Sequence, residues 1–185
     1  MEVRATALPG VLLVIPKVLG DERGFFVETY SAARYRAAGI TETFVQDNLS
    51  RSARGTLRGL HLQHPFAQGK LVSVVEGAVL DVAVDVRVGS PTFGRHVSAE
   101  LSASNKHQLW VPAGFAHGFA VTSEHAIFAY KCTDLYHAET ELGVAWDDPD
   151  LAIAWPTREP LLSARDKGHA RLRDIAPDRL PPYTR

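Results

Sequence analysis

The chain has 185 residues, 45% of them hydrophobic and 22% charged, with a formal net charge of −1. That length suits one domain with a substantial core, and a charge this near zero supplies no global field for nucleic acid or a membrane surface. An anionic ligand must therefore be gripped by a local cluster of arginine and lysine. The single cysteine, Cys132, excludes an internal disulfide and a multi-cysteine metal site, which fits a reducing compartment. The first apolar run, 11–15, is far too short to span a bilayer and lacks the flanks of a signal peptide. The expectation is a soluble cytoplasmic protein.

Strand signals dominate the chain in order. An apolar run at 11–15 ends at Pro16. After the turn around 20–24, short strands are expected at 25–30, 44–49, 57–63 and 70–75, the last broken by Gly77. The stretch 78–86 alternates with a period of two: Leu80, Val82, Val84 and Val86 share one face, Asp81 and Asp85 the other. Further strands are expected at 96–101, 108–111, 119–122 and 126–133. Many short strands separated by turns predict a sandwich or barrel. One helix is expected, N-capped by Ser31, running over 32–38 and stopped by Gly39. From about residue 147 to 185 the chain is rich in proline and charge, and reads as turns and short helices wrapping the barrel. The whole, 1–185, is read as one domain.

The chemistry concentrates in Arg58-Gly59-Leu60-His61-Leu62-Gln63 and the following Lys70. A base beside two cations suits carbanion chemistry on an anionic substrate. An imidazole can act as a base near neutral pH, so His61 can accept a proton, or it is a structural strand histidine. Gathering it with Arg58 and Lys70 is costly without a ligand. Lys70 can steady a developing enolate oxygen, or be a solvated strand end. Tyr130 can return a proton, or pack as a half-buried aromatic. A second histidine, His117, follows the tight turn in Pro112-Ala113-Gly114-Phe115-Ala116-His117. A metal barrel would need His-x-His, yet two residues after His61 stands Gln63, and His64 falls on the opposite strand face. The neighbouring cation Lys70 also disfavours a divalent ion, so no metal is expected. Arg23, Glu28, Gln46, Asn48 and Arg58 suit a nucleotide diphosphate. Phe25, Phe26 and Tyr136 can stack on a base or belong to the core. Asp166 lies in a segment, 161–166, that reads as exposed.

Several motifs in one order resemble the dTDP-4-dehydrorhamnose 3,5-epimerase family. They are Gly20 to Phe26, Phe44 to Asn48, Leu57 to His61, Gln68 to Val72, Asp85-Val86-Arg87 with Ser90 to Gly94, Pro112 to Gly118, and Leu162 to Asp166. The resemblance covers about residues 3 to 175. It implies a mainly β, cupin-like jelly roll with a few short peripheral helices, no cofactor and no metal. It implies His61 as base, oriented by Asp166, with Tyr130 as acid and Lys70 on the C4 oxygen. It places Arg23, Glu28, Gln46, Asp47, Asn48, Arg58, His117, Glu141 and Arg165 against substrate, and Tyr136 on thymine, with Phe26 beside Arg23 in the same set. Arg165 stands where some members carry lysine.

The resemblance also implies a homodimer in which one subunit's N-terminal strand, with Arg23 and Glu28, serves the partner's site. The expected reaction is epimerisation at C3 and C5 of dTDP-4-dehydro-6-deoxy-D-glucose, giving dTDP-4-dehydro-L-rhamnose for dTDP-L-rhamnose biosynthesis. Rival readings are a 3-only epimerase, a 3,4-ketoisomerase, a metal-dependent cupin oxygenase and a non-catalytic sugar-nucleotide-binding barrel.

Overall fold

The computed structural model describes residues 1–184. The strands are β1 (Glu2–Ala5), β2 (Leu12–Ile15), β3 (Val18–Asp21), β4 (Gly24–Val27), β5 (Gln46–Ala53), β6 (Leu57–Gln63) and β7 (Lys70–Glu76). Then come β8 (Ala78–Asp85), β9 (His96–Ser102), β10 (Gln108–Val111), β11 (Phe115–Val121), β12 (His125–Cys132) and β13 (Glu141–Gly143). Two antiparallel sheets form the body, in strand orders β1-β2-β10-β7-β12-β5 and β13-β6-β11-β8-β9. The hairpin β3–β4 stands apart as a third, two-stranded sheet. This is the mainly β sandwich that the short strands predict.

The core lies between the two sheets. Val72, Val74, Leu109, Val111, Ala126 and Phe128 from the first sheet meet Val79, Ala83, Leu101, Phe115, Phe119 and Val121 from the second. Each strand contributes every second residue, so its alternate positions are free for a different face. On β8 the even residues Val82 and Val84 pack outward into a second cluster with Leu142, Val144, Leu151, Leu172 and Leu180. The C-terminal chain therefore covers a face that would otherwise be wet. It is tied down by isolated bridges pairing Thr56 with Leu161, Val144 with Ala170, and Val88 with Pro182. Asp81 and Asp85, on the face opposite those valines, point between the two sheets and are fully buried. Burial requires partners. Asp85 receives Arg87, Ser90 and Thr92.

Several boundaries differ from the sequence reading. β1, β3 and β13 were not expected: β1 and β13 are short and polar, and β3 overlaps a turn-like glycine stretch. The strand expected at 119–122 starts earlier, at Phe115, because the residues after Gly114 are all buried and paired with β8. The helix, α1 (Ala32–Ala37), ends before Gly39, which has φ +94°. Ser31 does occupy the cap position, but its side chain makes no capping hydrogen bond. The helix is held instead by Tyr35, 1% exposed, whose hydroxyl donates to Gln108 Oε1 at 2.6 Å. Packing of this kind outweighs a single cap in so short a helix. Burial also pushes the Tyr35 phenol up to about 12.

Candidate active site

Two backbone approaches set the site. A Cβ on Gly59 would lie 2.5 Å from the Gly118 Cα, and one on Gly118 would lie 2.7 Å from the Arg58 carbonyl oxygen. Only glycine at both positions lets β6 and β11 come so close, and Gly59 also has φ +130°. The register then sets His117 opposite His61, with a shift before Phe119 meets Arg58. From the facing sheet, β7 begins with Lys70 on the same strand face as core residues Val72 and Val74. On β12, Tyr130 follows Phe128 two residues on, so it too faces inward. Phe128 stacks on Phe119 with ring centroids 4.1 Å apart and closes the floor.

The result is a cavity of about 290 Å³ that brings together Arg58, His61, Lys70, His117, Tyr130 and Asp166. An adjoining cavity of about 310 Å³ shares His61, Lys70, Tyr130, Tyr136 and Glu141, and adds Gln46 and Asn48. The pair is large enough for a sugar nucleotide rather than a small metabolite alone.

His61 Nε2 donates to Asp166 Oδ1 at 2.6 Å, which leaves Nδ1 as the nitrogen free for a substrate proton. Asp166 is 4% exposed, contrary to its surface appearance in the sequence. A 3-10 turn at Asp166–Gly168 packs it against β6, and its backbone N–H is capped by Ser163 Oγ at 3.0 Å. Burial raises the Asp166 carboxyl, but the hydrogen bond and charge of His61, with help from Ser163, outweigh it and hold the group below the usual carboxylate range. It is therefore a carboxylate that can orient and stabilise an imidazolium.

Burial pushes the Lys70 ammonium below the ordinary lysine range, opposed by Cys132, Glu141 and Asp81. Tyr130 moves the other way: burial raises its phenol, so it stays protonated at neutral pH, while Arg58 pulls it back. A base, a cation and a proton donor thus line one cleft.

The cleft rim carries a polar chain. Arg165 donates to Glu141 Oε2 at 2.7 Å, and the Tyr136 hydroxyl donates to the same oxygen at 2.5 Å. Tyr136 is 53% exposed, so its ring is not core. Gln46 accepts from the Tyr136 backbone and donates to Asn48. Arg58 donates one nitrogen to Ser52 at 3.0 Å.

Four expected residues are elsewhere. Arg23 pairs with Asp21 on the β3–β4 hairpin, Phe26 is 68% exposed beside it, and Glu28 pairs with Arg34. None of these lines the two cavities. Asp47 is turned outward and receives Lys131. On a strand with period two it faces away from Gln46 and Asn48.

Two residues escaped the sequence reading. Asp81 accepts from His117 Nε2 at 2.9 Å with both groups buried, a second histidine–carboxylate pair. Its only sequence signal is an acid in an otherwise apolar run. His169 lies against Asp166, and no motif marks it. His61, Asp166 and His169 place three ligand-type atoms within 4.8 Å of one another. The 2.6 Å between His61 and Asp166 is a hydrogen-bond distance, shorter than the roughly 3.3 Å between neighbouring ligands around a tetrahedral zinc. His61 and Asp166 are folded as a hydrogen-bonded pair with His169 beside it, not as an open ligand set.

Known proteins are similar to this chain in sequence and fold. The family model for dTDP-4-dehydrorhamnose 3,5-epimerase matches residues 5–174. The chain is 55% identical over 169 residues to the dTDP-4-dehydrorhamnose 3,5-epimerase of Pseudomonas aeruginosa, spanning 90% of this chain and 93% of that one. A crystal structure of dTDP-6-deoxy-D-glucose-3,5-epimerase from Legionella pneumophila, in complex with dTDP-4-keto-L-rhamnose, matches at TM-score 0.97 and 52% identity, over 100% of this chain and 99% of that one. The dTDP-4-dehydrorhamnose 3-epimerase of Streptomyces niveus is 41% identical over 169 residues, 90% of this chain and 82% of its own.

The cupin-like fold and these relatives define an isomerase of dTDP-linked sugars. More narrowly, the chain belongs to the dTDP-4-dehydrorhamnose 3,5-epimerase family.

Proposed function

We propose that this chain carries out the 3,5-epimerisation of its family on dTDP-4-dehydro-6-deoxy-D-glucose, with His61 as base, Tyr130 as acid, Lys70 on the enolate oxygen and Asp166 orienting His61. The observation that carries the reading is the His61–Asp166 pair set in one cleft with Lys70 and Tyr130.

The C3 and C5 hydrogens of a 4-keto sugar lie alpha to the carbonyl. His61 takes one as a proton, and the C–H electron pair becomes an enolate with its charge on the C4 oxygen. A preorganised cation at that oxygen lowers the barrier, and Lys70 has burial to sharpen its field. Tyr130 returns a proton to the opposite face, which inverts the carbon. The resulting phenolate and imidazolium exchange their charges through solvent, so the cycle is electron-neutral and needs no oxidant. Asp166 steadies the imidazolium while it lasts.

Arg58 and Arg165 fit the diphosphate, Gln46 and Asn48 the polar edge of the nucleoside, and Tyr136 a stacked thymine, with Glu141 and His117 completing the sugar contacts. Arg23, Phe26 and Glu28 do not line this cleft, and Asp47 faces outward. The exposed Phe25 and Phe26 of the β3–β4 hairpin support a homodimer in which that hairpin, with Arg23 and Glu28, completes the partner's cleft.

The test is incubation with dTDP-4-dehydro-6-deoxy-D-glucose in heavy water, with deuterium read at C3 and C5 by NMR. Label at both carbons, and dTDP-L-rhamnose once a reductase is coupled, is the expected result. Label at C3 alone assigns the chain to the second reading, a 3-epimerase, which the Streptomyces niveus relative favours. No label at either carbon overturns proton abstraction on this substrate.

A further inference from the structure

His169 is built into the fold behind the catalytic pair. Its Nε2 stands 3.3 Å from Asp166 Oδ1, the same oxygen that His61 reaches at 2.6 Å from the other side. The His169 and His61 rings meet edge to face with centroids 5.7 Å apart. The His169 side chain is 11% exposed. Its Nε2 is the one buried side-chain nitrogen or oxygen, among the described residues, without a formed hydrogen bond. A buried polar atom left in that state calls for a reason.

The fold also makes room for the ring. A Cβ on Gly143 of β13 would lie 2.1 Å from His169 Cε1, so any larger residue there would evict it. The bridge between Val144 and Ala170 holds the two segments in register. A slot this tight is specific for the flat ring.

We propose that His169 is a positioning residue for the His61–Asp166 pair: a neutral imidazole whose Nε2–H shares Asp166 Oδ1 with His61 and limits how strongly the carboxylate stabilises the imidazolium formed when His61 Nδ1 takes the substrate proton. This rests on the reading of His61 as base.

The tautomer follows from the neighbour. A lone pair on Nε2 would face a carboxylate oxygen and repel it, so the proton sits on Nε2. The ring stays neutral because burial, then the charge of His61, push its pKa below the ordinary histidine value, against the pull of Asp166. The present approach is off line for a hydrogen bond, as catalytic contacts often are before substrate binds. A small ring rotation aligns it. Every donor added to a carboxylate lowers its hold on a further proton. With His169 in place, His61 releases its proton to solvent more readily, which resetting the base between epimerisations requires. The other charged groups about the pair, Arg165 on the same turn and Lys70, Glu141 and the His117–Asp81 pair in the cleft, are common to all variants below.

The experiment is the pH profile of kcat/KM for C3 deuterium incorporation in the wild type, His169→Ala, His169→Phe and His169→Gln. Losing one donor to Asp166 strengthens its hold on His61, so the acid limb moves to higher pH by about one unit in His169→Ala and His169→Phe. At a pH below the limb, kcat/KM falls about tenfold, while the dTDP dissociation constant is unchanged. His169→Gln keeps an N–H donor and returns the limb toward the wild type.

Limbs that coincide in all four proteins overturn the proposal. So does an equal loss at every pH in all three variants, which marks a purely structural ring. Failure of the underlying reading looks different: His61→Ala then retains proton exchange in the same assay.

Discussion

Replacing Lys70 by methionine separates electrostatic catalysis from binding. Methionine has a similar length and volume and no charge. The Lys70 ammonium is desolvated in the cleft, and among the described residues it makes no ion pair. Its field is therefore unspent on protein partners and available to a developing oxyanion. At about 3 Å and an effective dielectric of about 20, the Coulomb attraction is roughly 5 kcal/mol, a ceiling before desolvation of the substrate is subtracted. Loss of one preorganised oxyanion donor costs about 3 kcal/mol, or roughly 10²-fold in kcat/KM.

The assay is the rate of deuterium incorporation at C3 by NMR, with dTDP affinity measured by calorimetry. Exchange should fall about 10²-fold, dTDP affinity should hold within about twofold because the proposed nucleotide contacts are Arg58, Arg165, Gln46, Asn48 and Tyr136 rather than Lys70, and thermal stability should not drop, since a desolvated charge has been removed. The pH dependence has a sign as well. Catalysis needs the cation, so wild-type activity is lost as pH rises through the lowered Lys70 pKa. The residual activity of Lys70→Met should lack that limb. Exchange within about fivefold of wild type, a margin well inside the expected oxyanion effect, would refute the assignment of Lys70 to the enolate.

Tyr130→Phe should reduce epimerisation far more than exchange of the first proton, since the phenol acts after the carbanion forms; equal loss of both, read by NMR of product against label, places Tyr130 earlier. Asp85 is held at about 2: burial raises it, and Arg87, Ser90 and Thr92 more than reverse that. A depressed carboxylate stabilises the fold above its unfolded value near 3.8 and loses that contribution as pH falls toward 2. Asp85→Asn should therefore cost about 2 kcal/mol at neutral pH and flatten the acid-unfolding curve between about pH 4 and 2, measured by denaturant titration at each pH.

Much of the site was legible in the chain. Strand periodicity alone puts Lys70 on the face of Val72 and Val74, and Tyr130 on the face of Phe128, because alternate residues of a strand must share a side. The β class likewise follows from short apolar runs punctuated by glycine and turns. Local pattern also explains the failures. Ser31 looked like a cap, yet the helix depends on Tyr35 reaching Gln108 across 73 positions. Asp166 looked exposed because its flanks are polar.

Sequence by itself determined the residue types that this chemistry requires and the strand faces on which they sit. Which of them meet was decided only by tertiary structure. The separation of 105 positions between His61 and Asp166 carries no local signal of their 2.6 Å contact. That contact exists because the C-terminal chain must cover the outer apolar face of β8. The same covering brings His169 to Asp166, whereas Asp81 is buried beside His117 on the inner face, between the two sheets. The β3–β4 hairpin with Arg23 and Phe26, and Glu28 just after it, stays outside the cleft as a separate ribbon whose phenylalanines are exposed, with only Lys106 set over the Phe25 ring.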